Sequence, residues 1–84
     1  MFLHVKSIRD IGEFELSLEF SDNVIKNVDL KDELHGEVFE PLKDPTFFKK
    51  VAVNSETGTI EWPNGADFAP EFLYKIGQEV KQVA

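Results

Sequence analysis

The sequence contains no cysteine, no long apolar run, and only nine lysines and arginines against sixteen aspartates and glutamates. The absence of cysteine excludes disulfides, thiolate chemistry and zinc sites of the finger type. Small secreted proteins usually rely on disulfides, so we expect a cytoplasmic protein. No segment reaches the apolar length of a membrane span, and the N-terminus lacks the apolar core of a signal peptide.

The charge of the chain argues against nucleic acid as a direct ligand. The formal net charge is −7, and affinity for DNA or RNA depends on neutralising phosphates with basic side chains. The densest basic stretch, KDPTFFKK, has three lysines. We therefore expect no direct nucleic-acid binding by this chain.

The amount of apolar material fits one small globular domain, residues 1–84. Hydrophobic residues make up 42% of the chain, and eight of them are phenylalanines. This fraction is too high for a disordered segment. A chain of this length buries only roughly 60–65% of its unfolded surface, so its stability depends on a few large side chains.

The first thirty residues predict a three-stranded antiparallel meander. Apolar and polar residues alternate strictly from Glu13 to Phe20, the period of a strand with one buried face and one acidic face. Weaker strand patterns cover Phe2 to Ile11 and Val24 to Leu30, and turn residues separate the three segments.

The middle of the chain predicts short helices followed by a hairpin. Gly36 and Pro41 interrupt any long helix between Lys31 and Lys50. Within that range, Asp44 and Pro45 are typical of the cap and first position of a new helical turn. Two short strands are then predicted, Val51 to Asn54 and Gly58 to Trp62. The hairpin loop between them ends in a glycine.

The last element is predicted to be a helix from about Pro70 to Gln82. Its apolar residues recur at spacings of three and four, while Gly77 weakens the pattern. The predicted fold class is α+β: a small, mainly antiparallel sheet made of the meander and the C-terminal hairpin, short middle helices, and a C-terminal helix packed on one face. The apolar stripe of the helix consists of Phe72, Leu73, Ile76, Val80 and Val83.

The segment EWPNGADFAPEFLY predicts how the last strand turns into the last helix. Pro63 ends the strand, and Asn64–Gly65 is expected to supply the positive φ angles of a tight turn. Asp67 is expected to cap the helix N-terminus. Pro70 presets the helical φ in the first turn, and Glu71 adds favourable negative charge there.

The aromatic residues Trp62 and Tyr74 leave two interpretations open. Both rings can pack in the core, with the Tyr74 hydroxyl at its edge. Alternatively, they form a shared aromatic patch beside the turn, of the kind enriched in protein interfaces. We favour packing, and the two interpretations are compatible if one ring edge is exposed.

Taken with FKKVAVN and VFEPLKD before it, the stretch TIEWPNGADFAPEFLY resembles the bacterial family catalogued as domain of unknown function 2442. The likeness covers nearly the whole chain, and the WPNGAD run followed by Ala-Pro-Glu is its most specific part. The signature positions are Trp62, Pro63, Asn64, Gly65, Asp67, Pro70, Glu71 and Tyr74.

The resemblance implies no established activity. Members of the family look like small cytoplasmic α+β domains, and some carry a DNA-binding helix-turn-helix after this domain. Many are encoded beside another small protein, which suggests a toxin–antitoxin-like or other two-component pair. This chain ends just after the predicted helix, so we expect no appended DNA-binding domain here.

The candidate catalytic and metal-binding groups are weak. The two histidines, His4 and His35, are far apart in sequence and lie in no metal-ligand spacing. Several carboxylates are paired along the chain, but Asp67 and Glu71 are better explained by helix capping and the helix dipole. No phosphate loop or nucleophile elbow is present. We expect no metal, no cofactor and no catalytic residue.

The leading hypothesis is therefore a non-enzymatic protein-interaction module acting on a protein encoded nearby, with the signature residues as its partner-binding positions. The alternative is a small-ligand-binding or enzymatic domain that uses a pocket beside the WPNGAD turn, with Asp67 or Glu71 pointing into it. A homodimer formed through an edge strand is a third hypothesis.

Overall fold

The structure, a computed structural model, describes residues 2–80. It contains seven short strands, two α-helices and two 3₁₀ segments. In chain order these are β1 (Val5–Ile11), β2 (Glu15–Phe20), β3 (Ile25–Asp29), 3₁₀ segments Lys31–Glu33 and Glu37–Lys43, α1 (Pro45–Phe48), β4 (Ala52–Asn54), β5 (Thr59–Glu61), β6 (Asp67–Phe68), α2 (Pro70–Ile76) and β7 (Gln78–Glu79).

The predicted meander forms one sheet with the strand order β1-β2-β3-β7, and all its pairings are antiparallel. The alternation along β2 is confirmed, since Leu16, Leu18 and Phe20 are fully buried while Glu15 is exposed. The strand begins at Glu15 rather than at the predicted Glu13, and Phe14 lies in the preceding turn with a positive φ of 61°. Its ring still packs edge-on against Phe48.

Strand β1 is irregular, which explains why its sequence pattern is weak. Its pairing with β2 shifts register twice, between Val5 and Ser7 and between Ile8 and Asp10. Each shift leaves one extra residue in β1, as in a β-bulge. The buried face of β1 therefore recurs every third residue, at Val5, Ile8 and Ile11, and a search for strict alternation misses it.

The predicted hairpin does not extend the meander sheet, as expected, but forms a second sheet with the order β4-β5-β6, because β5 pairs with β4 and β6. The loop between β4 and β5 ends at Gly58, whose φ is 74°. Gly58 lies directly against the side chain of His4, and its carbonyl accepts a hydrogen bond of 2.8 Å from the Val5 N–H. The loop of the second sheet is thereby attached to the start of the first.

One hydrophobic core joins the two sheets and the helices. The buried face of β2 belongs to the same core as Phe48 of α1 and Leu73 of α2, which are both fully buried. Asp44 caps α1 as predicted, because its side chain accepts a hydrogen bond of 3.0 Å from the Thr46 N–H. The α+β fold class, with the C-terminal helix packed on the sheet, is confirmed.

The length predicted for the C-terminal helix is wrong within the described residues. Helix α2 ends at Ile76, and Gly77 already has an extended conformation. A Cβ at Gly77 would lie 3.0 Å from the Lys26 Cβ and 3.0 Å from the Val28 Cγ2, so the chain approaches β3 closely here. The next residues then pair with β3 as β7. Sheet pairing prevails over the helical pattern, whose last members, Gln82 and Val83, lie outside the described residues.

Within residues 2–80, none of the helices has the length and apolar character needed to cross a membrane.

Two glycines with positive φ provide a matched stability test. Gly58→Ala and Gly65→Ala should both lose about 1–2 kcal/mol of unfolding free energy, because alanine disfavours this conformation. Gly58→Ala should lose roughly 1–3 kcal/mol more, since its methyl group would collide with His4, whereas no atom lies within 4 Å of a Cβ at Gly65. Urea unfolding followed by circular dichroism measures the difference. Equal losses would show that the close packing of Gly58 contributes nothing.

Candidate functional site

The WPNG stretch forms the tight turn between β5 and β6. The Gly65 N–H donates to the Trp62 carbonyl at 3.0 Å, and the Trp62 N–H donates to the Ala66 carbonyl at 2.9 Å. Pro63 and Gly65 occupy the second and fourth positions of this turn, which are their preferred positions in type I turns. Of the Asn64–Gly65 pair only Gly65 has a positive φ, 90°, so the prediction that both residues adopt positive φ is wrong.

Asn64 uses its side chain rather than an unusual backbone conformation. Its Nδ2 donates to the Val38 carbonyl at 2.8 Å, and its Oδ1 accepts from the Ala66 N–H at 3.2 Å. The first bond joins the turn to the second 3₁₀ segment, twenty-six residues earlier in the chain. Asn64 therefore fixes the position of this segment against the second sheet.

Trp62 is a core residue, only 3% exposed. Its indole Nε1 donates to the Phe48 carbonyl at 2.8 Å, which satisfies the single polar group of the ring. The ring contacts Phe48 and Phe68, with centroids 5.6 and 5.9 Å away. The packing interpretation is correct for Trp62.

Tyr74 lies against the meander and not against Trp62. Its half-buried ring packs edge-on against Phe20 at 5.0 Å, and its hydroxyl donates to the Asp22 Oδ2 at 2.7 Å. Lys26 Nζ lies 3.8 Å from the ring centroid and donates to the Tyr74 carbonyl at 2.7 Å. Tyr74 thus fastens α2 to the turn between β2 and β3, and it shares no patch with the tryptophan.

The hydrogen bond between these side chains shifts both pKa values. The Tyr74 hydroxyl stabilises the charged carboxylate and lowers the pKa of Asp22 below its ordinary 3.8, and the Val24 N–H reinforces this shift. The same bond to Asp22 raises the pKa of Tyr74 above its ordinary 10.0. Both shifts favour the protonation states that form this hydrogen bond, an ionised Asp22 and a neutral Tyr74.

The predicted capping role of Asp67 is wrong. Asp67 lies in β6, where it is exposed and paired with Glu61, and the residue that precedes α2 is Ala69, which makes no side-chain cap. Asp67 is part of β6, the short strand after the turn, so its side chain is not in the capping position before α2. Pro70 does occupy the first turn of α2 and is buried, and Glu71 is exposed there, as predicted.

The signature residues therefore do not form one surface. Trp62 and Pro70 are buried, Tyr74 faces the meander, and Asp67 lies on the face of the second sheet opposite Phe68. Only the exposed turn Pro63–Gly65 remains as a contiguous group. Most of the signature thus has a clear role in folding.

A cluster that the sequence patterns did not indicate lies beside the turn. The rings of Phe39, Phe68 and Phe72 are stacked, with centroids 4.9 Å and 5.8 Å apart and interplanar angles of 27° and 13°. Phe68 is at the centre and nearly buried, while Phe39 and Phe72 are half-buried. The neighbouring Val38 is 44% exposed. We call these four residues the stack surface.

Sequence reasoning missed the stack surface because its parts come from three elements. Phe39 belongs to the second 3₁₀ segment, Phe68 to β6 and Phe72 to α2. The spacing of four between Phe68 and Phe72 resembles an ordinary helical contact, but Phe68 precedes the helix. Nothing in the sequence pattern brings Phe39 to them.

The described residues include one open cavity of about 320 Å³ away from the turn. It lies between residues 2–4 and the loop 55–58, with His4 and Glu56 among its lining residues. Neither Asp67 nor Glu71 lines it. Within residues 2–80, no three side chains of His, Asp or Glu come together as a metal site would require.

A protein-family model described as "Protein of unknown function (DUF2442)" matches residues 5–79. No curated protein and no solved structure matches the chain significantly. The match spans both sheets, the signature turn and the stack surface.

Replacing Trp62 by Phe should destabilise the protein by about 1–3 kcal/mol, because it removes ring volume and leaves the buried Phe48 carbonyl with only the longer hydrogen bond of 3.3 Å from the Val51 N–H. Urea unfolding followed by circular dichroism measures the loss. Phe47→Leu, at a half-buried phenylalanine of α1, provides a control for the loss of aromatic volume. A Trp62→Phe variant as stable as this control would show that the indole hydrogen bond contributes nothing.

The Tyr74–Asp22 contact should produce an acid-sensitive part of the stability. Because the folded-state pKa of Asp22 lies below its unfolded value of about 3.8, the stabilisation is fully present above that value and is lost as pH falls through the folded pKa. Asp22→Asn and Tyr74→Phe should both flatten the fall in unfolding free energy below about pH 4. Thermal melts across pH 2–7 measure this, with the exposed Asp32→Asn as control. Unchanged acid profiles for both variants would contradict the expectation.

Proposed function

We propose that this chain, which belongs to the DUF2442 family of proteins of unknown function, is a non-enzymatic protein-interaction module of the cytoplasm. We place it as the antitoxin-like or regulatory member of a two-gene pair, with its partner encoded by the adjacent gene. The stack surface is the observation that supports an interaction role most directly.

The composition of the stack surface is that of an interface anchor. Protein interfaces combine buried aromatic residues with a polar rim that water can reach. Here Phe39 and Phe72 present half-buried rings, and Val38, the residue before Phe39, is 44% exposed. The exposed Asn64 and Glu71 lie next to this apolar centre in the turn and on α2.

The stack surface is also held rigidly, which lowers the entropy cost of binding. Phe68 packs against Trp62, whose indole is bonded to α1. The bond from Asn64 to the Val38 carbonyl holds the 3₁₀ segment that carries Phe39. The signature residues would thus serve recognition indirectly, by fixing the surface that a partner meets.

The enzymatic alternative has less support from the geometry. It requires a concave pocket beside the turn, with Asp67 or Glu71 directed into it. Both carboxylates are exposed, and neither lines the open cavity beside the β4–β5 loop.

Self-association through β1 also has little support. Lys6 and Arg9 occupy the two bulge positions of this edge strand, and bulges with basic side chains hinder edge-to-edge pairing.

The test is co-expression of the tagged chain with the protein of the adjacent gene, followed by purification and light scattering. We expect a stoichiometric complex that Val38→Ser weakens, because this change removes apolar contact area. Val80→Ser provides the matched control, since Val80 is 37% exposed but lies after β7. Both substitutions should leave the melting temperature nearly unchanged.

A neighbouring protein that fails to co-purify with the folded domain would contradict the two-gene pairing. A complex that tolerates Val38→Ser as well as Val80→Ser would place the interface away from the stack surface.

A further inference from the structure

Building on the proposed interaction function, we infer that the occupant of the stack surface is a short cationic amphipathic helix of the partner protein, and not a second copy of this chain. The size of the surface, the spacing of its rings and the charges around it each support this assignment.

The stack surface is too small for a stable dimer of globular domains. Such interfaces bury roughly 800 Å² on each partner. Of the four residues here, only Val38 is more than about a third exposed, and Phe68 is nearly buried. This area suits a few apolar side chains from a single segment.

The spacing of the rings fits a helix. The two accessible rings, Phe39 and Phe72, lie on either side of the nearly buried Phe68, and successive centroids are 4.9 Å and 5.8 Å apart. The accessible rings are therefore separated by up to about two turns of an α-helix, each of about 5.4 Å. Apolar side chains two turns apart on a partner helix would meet both rings, as in other complexes in which a helix binds a groove.

The charges around the stack surface favour a cationic partner. Glu37 and Glu40 lie on either side of Val38 and Phe39 in the 3₁₀ segment, and Glu71 precedes Phe72; all three glutamates are exposed. Lys43 pairs with Glu40 at 3.0 Å, and the exposed Lys75 offsets a second glutamate. These five side chains therefore keep one net negative charge, which favours a cationic partner only modestly.

The charge of the whole chain acts in the same direction. The formal net charge of −7 attracts cations over a longer range. A second copy would bring two chains of this net negative charge together, which is unfavourable. Electrostatics thus favours a cationic helix over a second copy of this chain as the occupant of the stack surface.

The experiment uses the whole chain and a labelled model peptide of about four turns. The peptide has leucines at positions i, i+3, i+4 and i+7 and lysines elsewhere, and a second version carries glutamates in place of the lysines. Fluorescence anisotropy should detect binding of the lysine peptide alone, and this binding should weaken as salt rises.

Charge variants test where the peptide binds. Glu71→Lys should weaken binding at least threefold, and Lys75→Glu should strengthen it. Glu15→Lys, which makes the same charge change on the exposed face of the meander, should have a smaller effect than Glu71→Lys. Val38→Ser should weaken binding, whereas Val80→Ser should not.

Three results would overturn the inference. The first is an equal loss of binding for Glu15→Lys and Glu71→Lys, which would indicate attraction to net charge alone. The second is peptide binding that ignores Val38→Ser. The third is a dimer of the chain, detected by light scattering, that Val38→Ser dissociates, because a second copy would then occupy the surface.

Failure of this inference is distinguishable from failure of the proposed function. If the neighbouring protein co-purifies in a Val38-dependent manner but the lysine peptide does not bind, the inferred partner chemistry is wrong and the interaction function stands. If neither binds, both are wrong.

Discussion

The hydrogen bond from the Trp62 indole to the Phe48 carbonyl joins two short elements of this fold, the hairpin strand β5 and helix α1. Helix α1 has four residues, and β5 has three, so neither is stable alone. Trp62 ends the hairpin and reaches α1 with its Nε1 atom at 2.8 Å. Its ring then contacts Phe68, the centre of the stack surface. One side chain thus connects the core to the surface that we propose for recognition.

A second connection joins the other end of α2 to the meander. Tyr74 reaches Asp22 with its hydroxyl, and Lys26 contacts both the ring and the carbonyl of Tyr74. Trp62 and Tyr74 therefore hold opposite sides of the final helix, through Phe68 and Phe72 on one side and Phe20 on the other. The signature contains both residues because a helix of seven residues needs attachment at both sides.

The parts of the fold that could be predicted from sequence are those in which local pattern and tertiary contacts agree. Examples are the alternation of β2, the cap at Asp44 and the hairpin loop that ends at Gly58. The pattern of β1 was weak because two bulges change its period, and bulges arise from pairing with β2 rather than from composition. The helix was predicted too long because Gly77 packs against β3, a contact that no local pattern contains.

The candidate site likewise combines features that local sequence patterns predict with features that only tertiary contacts determine. The turn chemistry of Pro63 and Gly65 follows from their backbone preferences and was predictable. The capping role of Asp67 was a reasonable local expectation, but β6 intervenes and places this carboxylate directly opposite Glu61. Like charges in such a pair destabilise a sheet, so the local and tertiary preferences conflict here. The stack surface combines residues from three elements, and only the tertiary fold brings them together.

The contrast between local and tertiary determinants changes the interpretation of the signature. Residues that are specific to a family are often taken as its binding site, yet here most of them are explained by backbone geometry, burial or internal hydrogen bonds. A partner would contact the side chains that these residues hold in place: two half-buried phenylalanines and a valine whose position depends on Asn64. Changes in the signature would then weaken recognition through displacement of the stack surface, even where the altered residue never touches the partner. Folding and recognition are therefore not competing explanations for the WPNGAD turn, because the turn holds in place the surface that we propose for recognition.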